Sequence, residues 1–222
     1  MPTVLDQRQR QMRRALKWSA GLFAGYLYIT YQVLTNGFLI RIDRELNNLE
    51  HPRFTGTVGF IVRRLDDLGL RSLTATILLI AASFIAYKFK TWRPLNLAMI
   101  SLLSLNLVVG TFKIVLGRTK PRDGFDLLHA GGMSYPSGHA SNAVLSWGIL
   151  AYLIYRYAKV DRYQGRLASA GVVLISLTVC VVSLIRQTHW FTDLLGGLFI
   201  GSALLVAVIT IDRYVPSKSQ LH

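Results

Sequence analysis

The chain has one cysteine, Cys180, in 222 residues. An intrachain disulfide is therefore impossible, and a thiol set among apolar residues is read as packed and inert. Acidic residues are also scarce, 11 against 25 lysines and arginines. They form no carboxylate group at ligand spacing, and there is no His-Glu-x-x-His pattern and no cysteine cluster, so no metal or other cofactor is expected. Internal repeats, low-complexity tracts and a separate soluble domain are all lacking. The remaining excess is positive, +14 at neutral pH. In a soluble protein that balance points to nucleic acid. Here it must be weighed against a chain that is 52% apolar.

What is present is a series of long apolar runs. About 20 apolar residues cross the hydrocarbon core of a bilayer. Six runs qualify: Trp18–Ile40, Ser72–Phe89, Leu95–Leu116, Gly138–Tyr155, Leu167–Ile185 and Leu194–Ile211. The expected fold is an all-α polytopic membrane protein with six transmembrane helices. A soluble bundle of unusually apolar helices is the weaker alternative. The chain reads as a single domain over residues 1–222, with a basic cytoplasmic N-terminus at 1–17 and a cytoplasmic tail at 212–222. The basic start resembles a signal peptide, but its apolar run is too long and no small-x-small site follows, so it is expected to stay as an anchor. Between spans one and two, residues 41–71 mix acids and arginines with apolar residues at three- and four-residue spacing. One or two amphipathic helices lying on the outer surface are expected there.

Lysine and arginine counts set the orientation. With both termini in the cytoplasm, fourteen basic residues lie inside and eleven outside. Five of those outside (Lys113, Arg118, Lys120, Arg122 and Arg186) crowd two short segments. They are better explained by an anionic ligand than by topology. Beside an apolar bundle, a small anion carried on a lipid fits them better than a nucleic acid.

Three segments at the expected outer ends of different spans carry chemistry. KIVLGRTKPRD (Lys113–Asp123) closes the third span with four cations, and Pro121 ends any helix. SYPSGHAS (Ser134–Ser141) opens the fourth. There Ser137 can cap the helix, Gly138 lets a ligand approach the backbone, and His139 sits in the first turn, where it can transfer a proton. SLIRQTHWFTDLLGG (Ser183–Gly197) opens the sixth. His189 and Asp193 are four apart, so the carboxylate can hold one imidazole nitrogen and leave the other as a nucleophile. Singly, these segments fit a snorkelling helix end, a capping turn and an interfacial histidine. Together they present cations, amide donors, two histidines and a carboxylate on one side of the membrane, a set suited to a tetrahedral oxyanion.

The three segments resemble the signature motifs of the type 2 phosphatidic acid phosphatase family, PAP2. That pattern is a lysine, six residues and Arg-Pro; then Pro-Ser-Gly-His; then Ser-Arg, five residues, His, three residues, Asp. Here Lys113 precedes Lys120-Pro121 at that spacing, Pro136-Ser137-Gly138-His139 matches fully, and His189 and Asp193 match in spacing. The resemblance covers about Leu95 to Ile211. It implies a metal-independent membrane phosphatase acting on a lipid phosphate, with anionic phospholipid headgroups as neighbours and the active site on the outer face of the cell membrane. It also implies His189 as nucleophile forming a phosphohistidine, Asp193 as its orienter and His139 as the acid. Lys113, Ser137 and the Gly138 amide would hold the phosphoryl oxygens. A phosphotransferase built on the same phosphohistidine, and a non-catalytic lipid-binding member, remain the alternatives. Phosphatidic acid, phosphatidylglycerophosphate, polyprenyl diphosphate and lipid-linked sugar phosphates all offer the same phosphoryl group. The outer segment and the loop with His129 are expected to choose among them. No residue pattern specifies an oligomeric state.

Two positions depart from the family pattern. Lys120 replaces an arginine, losing the bidentate fork, with Arg118 or Arg122 as candidate substitutes. Six before His189 stands Ser183 in place of an arginine, and the nearest arginine is Arg186. On a continuous helix Arg186 would lie about 60° round and ~4.5 Å down from His189. It is therefore expected to bind the phosphate. Arg186→Ala should lower phosphate release in detergent by at least as much as Lys120→Ala; unchanged turnover removes Arg186 from the site.

Overall fold

The computed structural model describes residues 4–158 and 160–214. Lys159 and the tail beyond Tyr214, with Lys218, lie outside the described residues, as do the first three. Among the described residues the chain is all-helical: α1 (Val4–Leu34), α2 (Phe38–Asn47), α3 (Gly56–Asp67), α4 (Arg71–Lys88), α5 (Arg93–Leu116), α6 (Gly138–Tyr157), α7 (Arg162–Ile185) and α8 (Phe191–Tyr214). A single 3-10 turn, Pro121–Asp123, follows α5.

α8 is the axis of the bundle. It packs along α1 on one side and α6 on the other, and α4 and α5 close over α6. Small residues on α8 permit the close approach to α6. A Cβ on Gly197 would stand 2.6 Å from the Ser137 carbonyl oxygen, and one on Gly201 would stand 2.9 Å from that of Ser141. α4, α5 and α7 turn large apolar side chains outward, among them Ile80, Phe84, Leu103, Leu107 and Leu174. In water such surface would aggregate; against lipid it costs nothing. Four helical segments are long and apolar enough to cross a membrane by length and composition: Arg71–Lys88, Arg93–Asp123, Arg162–Ile185 and Phe191–Tyr214.

The first expected span is interrupted. α1 stops at Leu34, Asn36 takes a left-handed conformation (φ 52°), and Phe38 begins α2. Asn-Gly at 36–37 is a helix stop, and the apolar residues after it belong to a second helix. The basic residues from Arg8 to Lys17 lie on α1 itself. The segment at 41–71 resolves into two helices. α2 packs against α1 and α8 with Ile40 and Asp43 buried, and α3 packs against α7 with Asp66 buried. The indole of Trp147 donates to the Leu68 carbonyl at 2.9 Å, tying the end of α3 to α6.

At the far end of α8, Asp212 draws three helices together. It accepts from Arg93 Nε at 2.8 Å and from the Tyr152 hydroxyl at 2.6 Å, and it pairs with Arg156. Nineteen residues separate it from Asp193 on one helix, a distance of about 28 Å. α8 is thus pinned at both ends.

Gly197→Ala should cost about 1–3 kcal/mol by overpacking α6 against α8. A lower unfolding temperature in detergent checks this, and an unchanged one shows that the two helices have room to part.

Candidate active site

Asp193 is the third residue of α8 and has no exposed surface. Its Oδ2 accepts from the Trp190 amide at 2.9 Å, satisfying a free donor at the helix start. The same oxygen accepts from the Ser134 hydroxyl and faces His189 Nδ1 at 3.5 Å. Its backbone carbonyl accepts from the Ser137 amide at 2.9 Å. The start of α6 is thereby joined to the start of α8. His189 is 6% exposed. With Nδ1 turned to the carboxylate, Nε2 is the nitrogen left for chemistry.

Arg118 supplies the charge that makes this burial possible. Its Nε and Nη2 both reach Asp126 at 2.7 Å, and Nη2 also reaches Asp43 at 2.7 Å. Its Nη1 donates to Thr192 at 2.7 Å and to Asp193 Oδ1 at 2.8 Å. A guanidinium has five N–H donors, and all five are used. The expected phosphate-binding role for Arg118 is therefore corrected: the side chain is fully buried and has no donor left. Asp43 completes the knot by accepting from the Thr192 amide at 2.8 Å and from its hydroxyl at 2.6 Å. Burial pushes the Asp43 carboxyl above its usual range, against the pull of Arg118 and the Thr192 donors.

Ser137 caps α6, its Oγ accepting from the Ala140 amide at 3.3 Å. His139 follows in the first turn, its ring centroid 6.0 Å from that of His189. Lys113 comes in from the end of α5. Its stem would pass 3.8 Å from a Cβ on Gly138, and its ammonium donates to the Met133 carbonyl. Lys120 is close enough to Lys113 for their charges to repel. Lys113, His189, Asp66 and Arg186 all lie within electrostatic reach of His139. Lys113, Gly138, His139, His189 and Arg186 are thus gathered, with Lys120 and Ser137 beside them.

Arg186 reaches the site by a route other than the expected one. α7 ends at Ile185, Arg186 caps it, and Gln187 turns through a left-handed conformation (φ 51°). The continuous-helix count to His189 does not apply. Instead Arg186 pairs with Asp66 of α3, whose other oxygen accepts from Ser183 at 2.9 Å. The serine in the family's arginine position and the displaced arginine share one carboxylate.

Asp43, Asp66, Asp126, Ser134 and Thr192 are absent from the motif reading. For Asp43 and Asp66 the signal is an acid among the apolar residues of a short helix in so basic a chain; Asp126, Ser134 and Thr192 carry none. His129 fixes the loop to α5 through its amide, which donates to the Leu116 carbonyl at 2.8 Å. Among the described residues no three His, Cys, Asp or Glu side chains gather at metal-ligand distances.

Residues 94–216 match the family model of the PAP2 superfamily. The chain belongs to that superfamily. Phosphatidylglycerophosphatase B of Bacillus subtilis (strain 168) is 24% identical over 162 residues, covering 70% of this chain and 75% of the relative. Among solved structures, the chain resembles that of a transmembrane PAP2 type phosphatidylglycerolphosphate phosphatase from Bacillus subtilis, with a TM-score of 0.79. That match covers 90% of this chain and 98% of the other at 21% identity, so it speaks to fold. The protein is a membrane phosphatase of the PAP2 superfamily.

Arg118→Met should destabilise the fold by about 3–5 kcal/mol, because Asp43, Asp126 and Asp193 would share a buried space without their cation. Unfolding in detergent checks this. A variant as stable as the parent shows that the carboxylates find other partners.

Proposed function

We propose that the protein removes phosphate from a lipid phosphate through a phosphohistidine. The observation that carries this reading is His189 Nδ1 against Asp193 Oδ2 at 3.5 Å, which directs Nε2 away from the carboxylate. The Nε2 lone pair forms a bond to phosphorus as the bond from phosphorus to the lipid oxygen breaks. His139 gives its proton to that oxygen. Water then attacks the phosphohistidine, His139 takes the proton, and His189 leaves as phosphate is released. Charge spreads over the phosphoryl oxygens in the transition state, so the protein's contribution is largely electrostatic. Lys113, Lys120, Arg186, the Ser137 hydroxyl and the Gly138 amide are the donors for those oxygens. An ammonium has three donors, and Lys113 spends one on Met133.

The topology that suits this chemistry has six spans, with α1 and α6 added to the four apolar segments. Both termini are cytoplasmic, the chain is one domain, and the site lies on the outer face of the cell membrane. The lysine and arginine distribution supports it. Phosphatidylglycerophosphate is the first substrate to test, since the relatives are named for it.

His189→Ala should lower phosphate release by about a thousandfold or more. Rapid acid-free quenching with radiolabelled substrate should leave alkali-stable label on the parent and none on the variant. Turnover that survives loss of His189 sinks the covalent route, and label passed to an acceptor lipid makes the protein a phosphotransferase.

A further inference from the structure

Arg186 also lines a space beyond its pair with Asp66. It forms one wall of a cavity of about 320 Å³ between the loop at 51–54, α3 and the end of α7. His51, Arg53 and Arg63 line the same cavity, with Phe54 and Val62, and no carboxylate does. Among the described residues no ion pair or hydrogen bond holds the Arg53 or Arg63 guanidinium, and His51 Nε2 is buried without a hydrogen-bond partner. Arg186 is already paired with Asp66, but the exposed Arg53 and Arg63 guanidiniums have no such partner among the described residues, and an anion between them would relieve their repulsion. A second cavity, about 260 Å³ and largely apolar, adjoins the first. The two share His51, Pro52, Ile185 and Gln187, and the second opens on His189 and Trp190.

We infer that the basic cavity binds a second phosphate of the lipid substrate, and so selects lipids that carry one. This rests on the phosphatase reading above. The reacting monoester would lie at His189, His139 and Lys113. The second phosphate, a diester joined to it through a short polyol, would lie among His51, Arg53 and Arg63, with Arg186 between the two. Guanidinium forks match phosphate oxygens in geometry as well as charge. The apolar cavity takes the start of the acyl chains. Phosphatidylglycerophosphate has this layout. Phosphatidic acid has one phosphate and leaves the basic cavity without an anion. In a polyprenyl diphosphate the two phosphates share an oxygen and are held closer together than the two phosphates of phosphatidylglycerophosphate, which a polyol separates.

The test compares kcat/KM for phosphatidylglycerophosphate, phosphatidic acid and a polyprenyl diphosphate in one detergent. The parent and the double variants Arg53→Ala/Arg63→Ala and Arg53→Lys/Arg63→Lys are used. The parent should prefer phosphatidylglycerophosphate to both other lipids. The alanine variant should lose that preference by about tenfold, through KM, and the lysine variant should recover part of it. A parent without the preference, equal losses on all three lipids, or an alanine variant with its preference intact overturns the inference. Each of these outcomes leaves the phosphatase reading standing. A parent that releases phosphate from none of the lipids overturns that reading, and this inference with it.

Discussion

Five donors on one guanidinium organise the reactive end of this protein. Arg118 stands just past the end of α5, and its partners come from α2, from the loop that follows it, and from the first turn of α8. A charge buried so completely is costly unless every donor is met. Once met, the arrangement has few alternatives: shifting any one element leaves either the arginine or a carboxylate without a partner. The loop from Gly124 to Ser134 wraps back for the same reason, with the Ser134 amide donating to the Arg118 carbonyl at 3.0 Å. Asp193 can face a histidine while fully buried because the arginine on its other oxygen offsets part of its charge.

Much of this was legible from residue order. Pro136 to His139 opens a helix, as its turn chemistry implies, and His189 with Asp193 takes the helical spacing of four through the first turn of α8. These are local features, set by neighbours in the chain. The ion-pair network is not local. Asp43 and Arg118 are 75 residues apart, and Arg186 and Asp66 are 120 apart. No periodicity reports such a pairing. In the sequence, Arg118 beside a motif is indistinguishable from an arginine within it; only burial separates the two. The break at Asn36 was legible in principle, but hydropathy ran on through Phe38 to Ile40 and outweighed an Asn-Gly pair.

Arg186 stands three residues nearer His189 than the family's arginine position does. Moving the cation three residues along takes it off the helix and into a cap, where its direction is no longer set by helical geometry. Asp66 takes over that task from a different helix. Ser183, in the vacated position, keeps a hydrogen bond to the same carboxylate.

Asp43 gives the amphipathic segment a second identity. A segment lying over the mouth of a site can usually be exchanged between relatives, because it touches the substrate and little else. Here α2 carries one of the carboxylates that balance Arg118 and also holds the amide and hydroxyl of Thr192. The amphipathic segment and the framework around Arg118 are therefore one structural unit. A chimera that imports a new cover must import an acid at this place, or it will arrive with a framework that does not hold its charge.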